Sequence, residues 1–485
     1  MGGPMDRSKV IFGNKISNTT YKKAIKNKKK FIKKFGDDSN KNYPIGIRSN
    51  PIIGPALGVK EIVLEDNGEQ IDIDKALIVG NIRMGFGHYR ISMAIASAAK
   101  HLGYTPYWLD LHDYKESTGG KVISHLNNLY SFGSRLSQKS KLFNKFYWEP
   151  LNSEGFRKLT YNSADQKVSE LMAPVLKNIP KNIPYAATHV WPAQAAIHAG
   201  FTNVVNVIPD NWPMALHLAE GSKHAVQTPS SYFGYKTLNG MGKKTLKPMP
   251  DGQLFEVGHY IDHEIVTNIE DDCIKRLDRI NNGKALRVLI TVGGAGAQRE
   301  MFVKIINQLI PLVNNNKAVL LINVGDHKKV WDELCSDIPL LKESTTEHMN
   351  NWQDTLDFSS QAINGEIKGI HTFYHQDIYA AVYSTNLLMR ASDILATKPS
   401  ELAFYPVPKL MIKRVGGHEA WGAVRAAEIG DGTIECDTSD KIELMLNLMF
   451  TEKNILRMMT ENILKAHNIG TYNGAYRVIE LLKNK

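Results

Sequence analysis

One local pattern occurs twice in this chain and restricts the folds open to it. Ala76–Gly80 (ALIVG) reads as a short buried strand that runs into the turn Gly85-Phe86-Gly87 and then into helical periodicity over Ser92–Leu102. Far downstream, Leu286–Val292 (LRVLITV) runs into Gly293-Gly294-Ala295-Gly296 and a helix over Arg299–Val313. A strand apolar on both faces and followed by a helix belongs in a parallel sheet covered on both sides. Further strands are predicted at 106–111, 186–190, 204–208 and 225–228, and after the second unit at 319–324, 372–373, 394–397 and 409–412. The expectation is an α/β chain of two Rossmann-like domains facing a cleft, with ligands at the carboxyl ends of the strands. A chain of 485 residues is too long for a single core. The predicted division is a basic amphipathic extension (1–60), an N-terminal domain (61–262), a linker (263–284), a C-terminal domain (285–450) and closing helices (451–485). Residues 337–370 fit neither pattern and read as an insertion.

The net charge of +10 is confined to one place, because the first 50 residues hold thirteen Lys and Arg against three Asp. The rest of the chain is neutral, which argues against a basic groove spread through the fold, and no nucleic-acid partner is expected. On a helical wheel, residues 21–35 (YKKAIKNKKKFIKKF) gather Tyr21, Ala24, Ile25, Phe31, Ile32 and Phe35 on one side. The lysines fall opposite, with only Lys28 intruding. This is the pattern of a helix lying on an anionic membrane. A helix docked on the protein's own body, or a solvated tail, satisfies it equally. No apolar run reaches the roughly 18 residues needed to span a bilayer, and Met1–Asn14 lacks the hydrophobic core of a signal peptide. The predicted location is cytoplasmic, peripheral on the inner face of the membrane if residues 21–35 bind lipid. Cys273, Cys335 and Cys436 lie far apart and suggest neither a disulfide framework nor a zinc site.

Three stretches carry polar groups suited to chemistry. In Gly85-Phe86-Gly87-His88-Tyr89-Arg90, His88 opens a helix on the cleft side, where a neutral imidazole accepts a proton from an incoming hydroxyl; a His that merely bonds its own turn is the alternative. Asp110 lies where a dinucleotide site keeps its ribose-binding acid, but Arg90 occupies the third-glycine position, which argues against NAD. In the second loop, Gly293, Gly294 and Gly296 let backbone N–H groups close on a diphosphate at a helix start, without the Gly-Lys-Ser/Thr ending of an NTPase. The third stretch runs Thr397-Lys398-Pro399-Ser400-Glu401, then Pro406-Val407-Pro408, then Gly416-Gly417-His418-Glu419. Its polar groups fall on the same strand-end edge as the second loop. Glu401 is placed to accept two ribose hydroxyls, and His418 and Glu419 to hydrogen-bond a sugar; an N-cap or a surface ion pair is the alternative for each. The aromatic-rich residues 129–161, including Tyr130, Phe132, Phe143, Phe146, Tyr147 and Trp148, read as core packing, with an apolar acceptor surface as the alternative.

In this order, Gly85-Phe-Gly-His88, Val292-Gly-Gly-Ala-Gly296 and Thr397-Lys-Pro…Ser400-Glu401…Pro406-Val-Pro408…Gly417-His-Glu419 resemble the GT-B glycosyltransferases of the monogalactosyldiacylglycerol synthase and peptidoglycan N-acetylglucosaminyltransferase group. The resemblance covers residues 76–450 and lies in the order of the motifs across two domains. It implies that His88 is the catalytic base, that Gly293, Gly294 and Gly296 form the diphosphate loop, and that Glu401 binds ribose. Gly417, His418 and Glu419 would meet the donor sugar, with Thr397, Lys398 and Ser400 in the same donor site. The implied reaction is inverting transfer of a sugar from a nucleotide-sugar, UDP-linked, to an acceptor hydroxyl, with a membrane lipid as a candidate acceptor. The leaving diphosphate would be met by backbone N–H groups and Lys398 or Arg299, without a metal or other cofactor. A UDP-sugar epimerase of the same fold, or a non-catalytic membrane-associated binding protein, remains the alternative.

Overall fold

A computed structural model describes residues 6–66, 68–148, 150–293 and 298–483. Its N-terminal sheet contains β1 (Gly46–Ser49), β2 (Lys60–Val63), β3 (Ala76–Asn81), β4 (Thr105–Asp110), β5 (Tyr185–Ala187), β6 (Val204–Val207), β7 (Lys223–Val226) and β8 (Leu254–Glu256), in the order 8-7-6-5-3-4-2-1. All neighbours are parallel except the β1–β2 pair. Strand β3 is buried at every position, with Ile78 in the core on one face and Leu77 and Val79 in the core on the other. That explains why it reads as a continuous apolar run. The C-terminal sheet contains β9 (Leu286–Thr291), β10 (Ala318–Asn323), β11 (Thr345–Met349), β12 (Ile370–Tyr374), β13 (Ile394–Thr397) and β14 (Lys409–Met411), all parallel in the order 11-12-10-9-13-14. The fold is α/β, with two Rossmann-like domains facing a cleft. In each sheet the chain reverses direction of winding beside the central strand, at β3/β5 and at β9/β13, which is where such sheets open a crevice.

Several predicted boundaries change. The stretch 1–60 is not a separate extension: β1 lies within it, β2 begins at its end, and the helix Asn18–Phe35 packs on the helix Leu159–Ser169. Ser17 caps that helix through a bond from Thr20 N–H, and Gly36 ends it at φ 102°, a left-handed conformation suited to glycine. Its apolar face is taken up internally, with Ala24 and Phe31 buried, and Lys28 pairs with Glu170 at 2.5 Å. The apolar face of residues 21–35 is therefore not available for a bilayer. Lys22, Lys23, Lys26, Lys29, Lys30, Lys33 and Lys34 remain exposed.

Residues 337–370 are not an insertion but the outermost βα unit of the second sheet, hidden from periodicity because Thr345–Met349 is a mostly polar edge strand. The predicted linker 263–284 holds the helix Ile269–Asn281, which belongs to the C-terminal domain. Its buried Arg276 donates to the carbonyls of Met389, Ser392 and Pro406, and Arg279 pairs with Asp393 at 2.8 Å. In the stretch 451–485, the helix Gly474–Lys483 crosses back and packs on the helix Gly87–His101 of the first domain. Between β4 and β5, Phe132, Phe146 and Tyr147 are exposed rather than core, whereas Trp148 packs on Gly133, which has no Cβ to obstruct it. The side chain of Tyr130 lies outside the described residues. No described helix is long and apolar enough to cross a membrane.

Candidate active site

The loops after β3, β5 and β6 bring three histidines and one carboxylate together at the carboxyl edge of the first sheet. Gly85, at φ 96°, turns the chain after β3 into the helix Gly87–His101, and His88 is the second residue of that helix. Its Nδ1 lies 2.7 Å from the Thr188 carbonyl, an acceptor only. Nδ1–H must therefore be the donor, which leaves the lone pair on Nε2. Burial lowers the pKa of His88, and the Thr188 carbonyl and Asp210 carboxylate partly oppose that shift. The neutral, proton-accepting form therefore predominates at neutral pH. His189 meets the His88 ring edge to face at 4.8 Å, and its Nδ1 accepts from Trp191 N–H. Burial, then the His88 and His217 rings, push its pKa well down.

Asp210 follows β6. Burial alone would raise its pKa, but a hydrogen bond from His217 and the His418, His217 and His88 imidazoles hold it well below the usual carboxylate range. His217 Nε2 lies 3.2 Å from Asp210 Oδ2, and its Nδ1 lies 2.8 Å from the Tyr235 hydroxyl. A Tyr235–His217–Asp210 chain thus holds a fixed negative charge near His88. His189, Asp210 and His217 are absent from the sequence-based site. The available signal was position for two of them: His189 and Asp210 lie within two residues of a predicted strand end, the edge where such sheets bind ligands, whereas His217 lies mid-loop and gave none.

From the second domain, Gly293 lies against Lys398, so that a Cβ there would stand 3.0 Å from Lys398 Cε. Gly294 and Gly296 lie outside the described residues. Lys398 pairs with Glu419. Glu419 also accepts from Val415 N–H at 2.8 Å. Burial raises the Glu419 pKa, and Lys398, His418 and the backbone donor outweigh it and bring it down. Thr397 is buried at the end of β13, Ser400 precedes the 3-10 turn Glu401–Phe404, and Gly417 and His418 sit in the turn Gly417–Glu419. The buried His418 Nδ1 has no hydrogen-bond partner among the described residues, and this ring acts electrostatically on Asp210 across the cleft. The second and third motifs therefore converge, and His418 joins them to the first domain.

Two expectations come out differently. Glu401 faces the other domain: its Oε1 accepts from Arg90 Nε at 3.3 Å, and its Oε2 lies close to Gly87. Arg90, almost fully buried, also donates to Val382 O at 3.1 Å and to Asn386 Oδ1. The bulky residue at the third-glycine position is thus an interdomain anchor. Arg299, expected beside the leaving diphosphate, is engaged in ion pairs with Glu333 at 3.2 Å and Asp337 at 3.1 Å. Asp110 is buried under the Tyr89 hydroxyl at 2.5 Å and is not presented to a ligand.

Next to Asp210, a cavity of about 270 Å³ opens between the domains, lined by Asn211, Trp212, Phe233, Thr237, Asn239 and Trp421. The Trp212 ring carries the Arg157 guanidinium at 4.4 Å and stacks with the ring of Trp421 at 5.4 Å and 17°. A wall of aromatic faces with a few amide and hydroxyl groups suits a ring that is apolar on its face and polar at its edge.

Residues 10–237 match a family model described as a domain of unknown function (DUF6937), and residues 249–483 match a second, DUF6938. A search of curated proteins found no match. Among solved structures, the chain is similar in shape to a UDP-GlcNAc 2-epimerase from Neisseria meningitidis, at 11% identity and a TM-score of 0.40, over 84% of this chain and 100% of that one. It is also similar to a glycosyltransferase from Rickettsia africae, at 14% and 0.40 over 85% and 100%. A UDP-forming α,α-trehalose-phosphate synthase from Burkholderia vietnamiensis gives 10% and 0.44 over 84% and 98%.

Proposed function

We propose that this protein is an inverting glycosyltransferase that moves a sugar from a UDP-linked donor to an acceptor hydroxyl. The observation that carries this reading is His88. It is a neutral imidazole with one nitrogen committed to a carbonyl and the other free to take a proton, and it stands at the carboxyl edge of the first sheet beside the Gly87–Glu401 interdomain contact. The acceptor oxygen attacks the anomeric carbon as His88 Nε2 takes its proton. The bond from that carbon to the diphosphate breaks on the opposite face, with the electron pair leaving on the β-phosphate oxygen, so the anomer inverts. The Thr188 carbonyl orients the ring, and the Asp210 carboxylate stabilises the imidazolium that forms through its charge alone.

The donor lies along Gly293, Gly294 and Gly296, with Thr397, Lys398 and Ser400 beside the diphosphate and Gly417, His418 and Glu419 at the sugar. Lys398, now paired with Glu419, supplies a cation to the leaving group. Glu401 takes the ribose hydroxyls in exchange for Arg90, so donor binding competes with one interdomain contact. No cofactor beyond the donor enters this scheme. The acceptor is a membrane lipid, and the cavity beside Asp210 takes the ring that bears its hydroxyl.

Calorimetric titration with UDP and UDP-sugars tests the donor half, and absence of binding would overturn the reading. Turnover of a UDP-sugar without any acceptor would favour an epimerase instead. His88→Ala is expected to bind UDP as the wild type does and to lose about 10²–10⁴-fold in turnover; full retention would refute the base assignment.

A further inference from the structure

The helical excursion between β4 and β5 carries a surface that neither core uses. In the helix Thr118–Lys139 and the turns after it, Leu129, Phe132, Leu142, Phe146 and Tyr147 are between 54 and 71% exposed. Single exposed apolar residues are ordinary, but five large ones on one excursion are not. Leu129 and Phe132 lie three residues apart on one helix and share a face, and Leu142 and Phe146 follow one turn apart. His125, one turn before Leu129, packs against Phe31 and Phe35 of the basic helix at 6.2 and 5.5 Å, and its Nε2 lies 3.4 Å from Lys34 Nζ. This contact sets the exposed lysine face of Asn18–Phe35 beside the apolar excursion.

Apolar side chains flanked by ammonium groups of a single sign match a bilayer with anionic headgroups, where the former enter the acyl boundary and the latter stay among the phosphates. Long flexible lysines suit headgroups, which impose no fixed geometry. We propose that this face docks the protein on an anionic membrane: the excursion inserts, and the basic helix lies at headgroup level with its own apolar side still folded into the domain. The mode differs from insertion of residues 21–35 themselves, and it rests on surface residues rather than on the transferase reading.

The test is co-sedimentation of the full chain with phosphatidylcholine vesicles prepared with and without phosphatidylglycerol, alongside UDP calorimetry on the same proteins. The wild type is expected to sediment only with the anionic vesicles and to be released by salt. Lys30→Glu/Lys33→Glu and Phe132→Ser/Phe146→Ser are each expected to lower the partition coefficient about tenfold or more. All four positions are exposed, so both variants retain the wild-type circular dichroism and UDP affinity. The proposal fails if the wild type stays in the supernatant, or if Phe132→Ser/Phe146→Ser sediments unchanged. It also fails if sedimentation velocity shows a dimer that this variant abolishes, which would make the patch a contact between two copies. UDP binding without vesicle binding would overturn the docking face alone, and vesicle binding without UDP binding would overturn the transferase reading alone.

Discussion

Burial pulls the pKa of His88 down, and the Thr188 carbonyl and the Asp210 carboxylate pull it partly back up. Below that pKa the base is already protonated, so turnover is expected to fall on the acid side of a pH profile. Asp210→Asn removes a negative charge that favours the imidazolium. The His88 pKa should then drop further, and the acid limb of kcat should move to lower pH while its plateau falls about tenfold, since a weaker base is a poorer catalyst. A profile unchanged in position would show that Asp210 does not act on His88. His88 was legible in the sequence because a His placed between a glycine turn and a helix has few structural reasons to be there. Asp210 and His217 were not, because each of them is ordinary until β5, β6 and the loop after β6 bring them to one edge.

At the scale of elements, the helix Asn18–Phe35 shows how an amphipathic pattern fixes a helix without fixing what covers it. Phe31 is buried in the first domain's core, the same cluster that holds Tyr43 and Val122, and its ring meets His125 of the helix Thr118–Lys139. Phe31→Ala is therefore expected to destabilise the protein by about 3–5 kcal/mol, read as a lower urea midpoint with unchanged slope. An unchanged midpoint would mean that the helix is peripheral after all. The helix Leu159–Ser169, against which it packs, buries Asp165, whose pKa burial pushes up to about 8. A carboxyl that holds its proton in the folded state and loses it when unfolded favours folding at low pH. That contribution is full below the unfolded value near 3.8, declines as pH rises, and is gone above about 8. Asp165→Asn should flatten the decline in Tm over that window and raise Tm at its alkaline end; parallel curves for the two proteins would contradict this.

At the scale of the whole molecule, the proposed site is held by contacts that join the domains, among them Arg90 with Glu401, Arg83 with Asp326 at 2.8 Å, and Trp212 stacked on Trp421. Trp421→Ala removes one wall of the cavity and one interdomain stack while leaving Gly293 and Lys398 in place. We expect the KM for the acceptor to rise about tenfold with UDP affinity unchanged, a stacked aromatic pair contributing about 0.5–1.5 kcal/mol; a loss confined to UDP binding would place the cavity on the donor side. The pattern of residues alone dictated the parallel strands at the centre of each sheet, the glycine turn after β3 and the edge on which polar groups gather, because burial on two faces forces continuous apolar strands and a turn with positive φ, as at Gly85, calls for glycine. It did not determine which polar groups meet. Arg90 looked like a flaw in a dinucleotide loop and is an anchor in the opposite domain, while Glu401 looked open and is engaged by it. Partners separated by hundreds of residues leave no period or spacing in a chain, so only the packing of one domain against the other decided them.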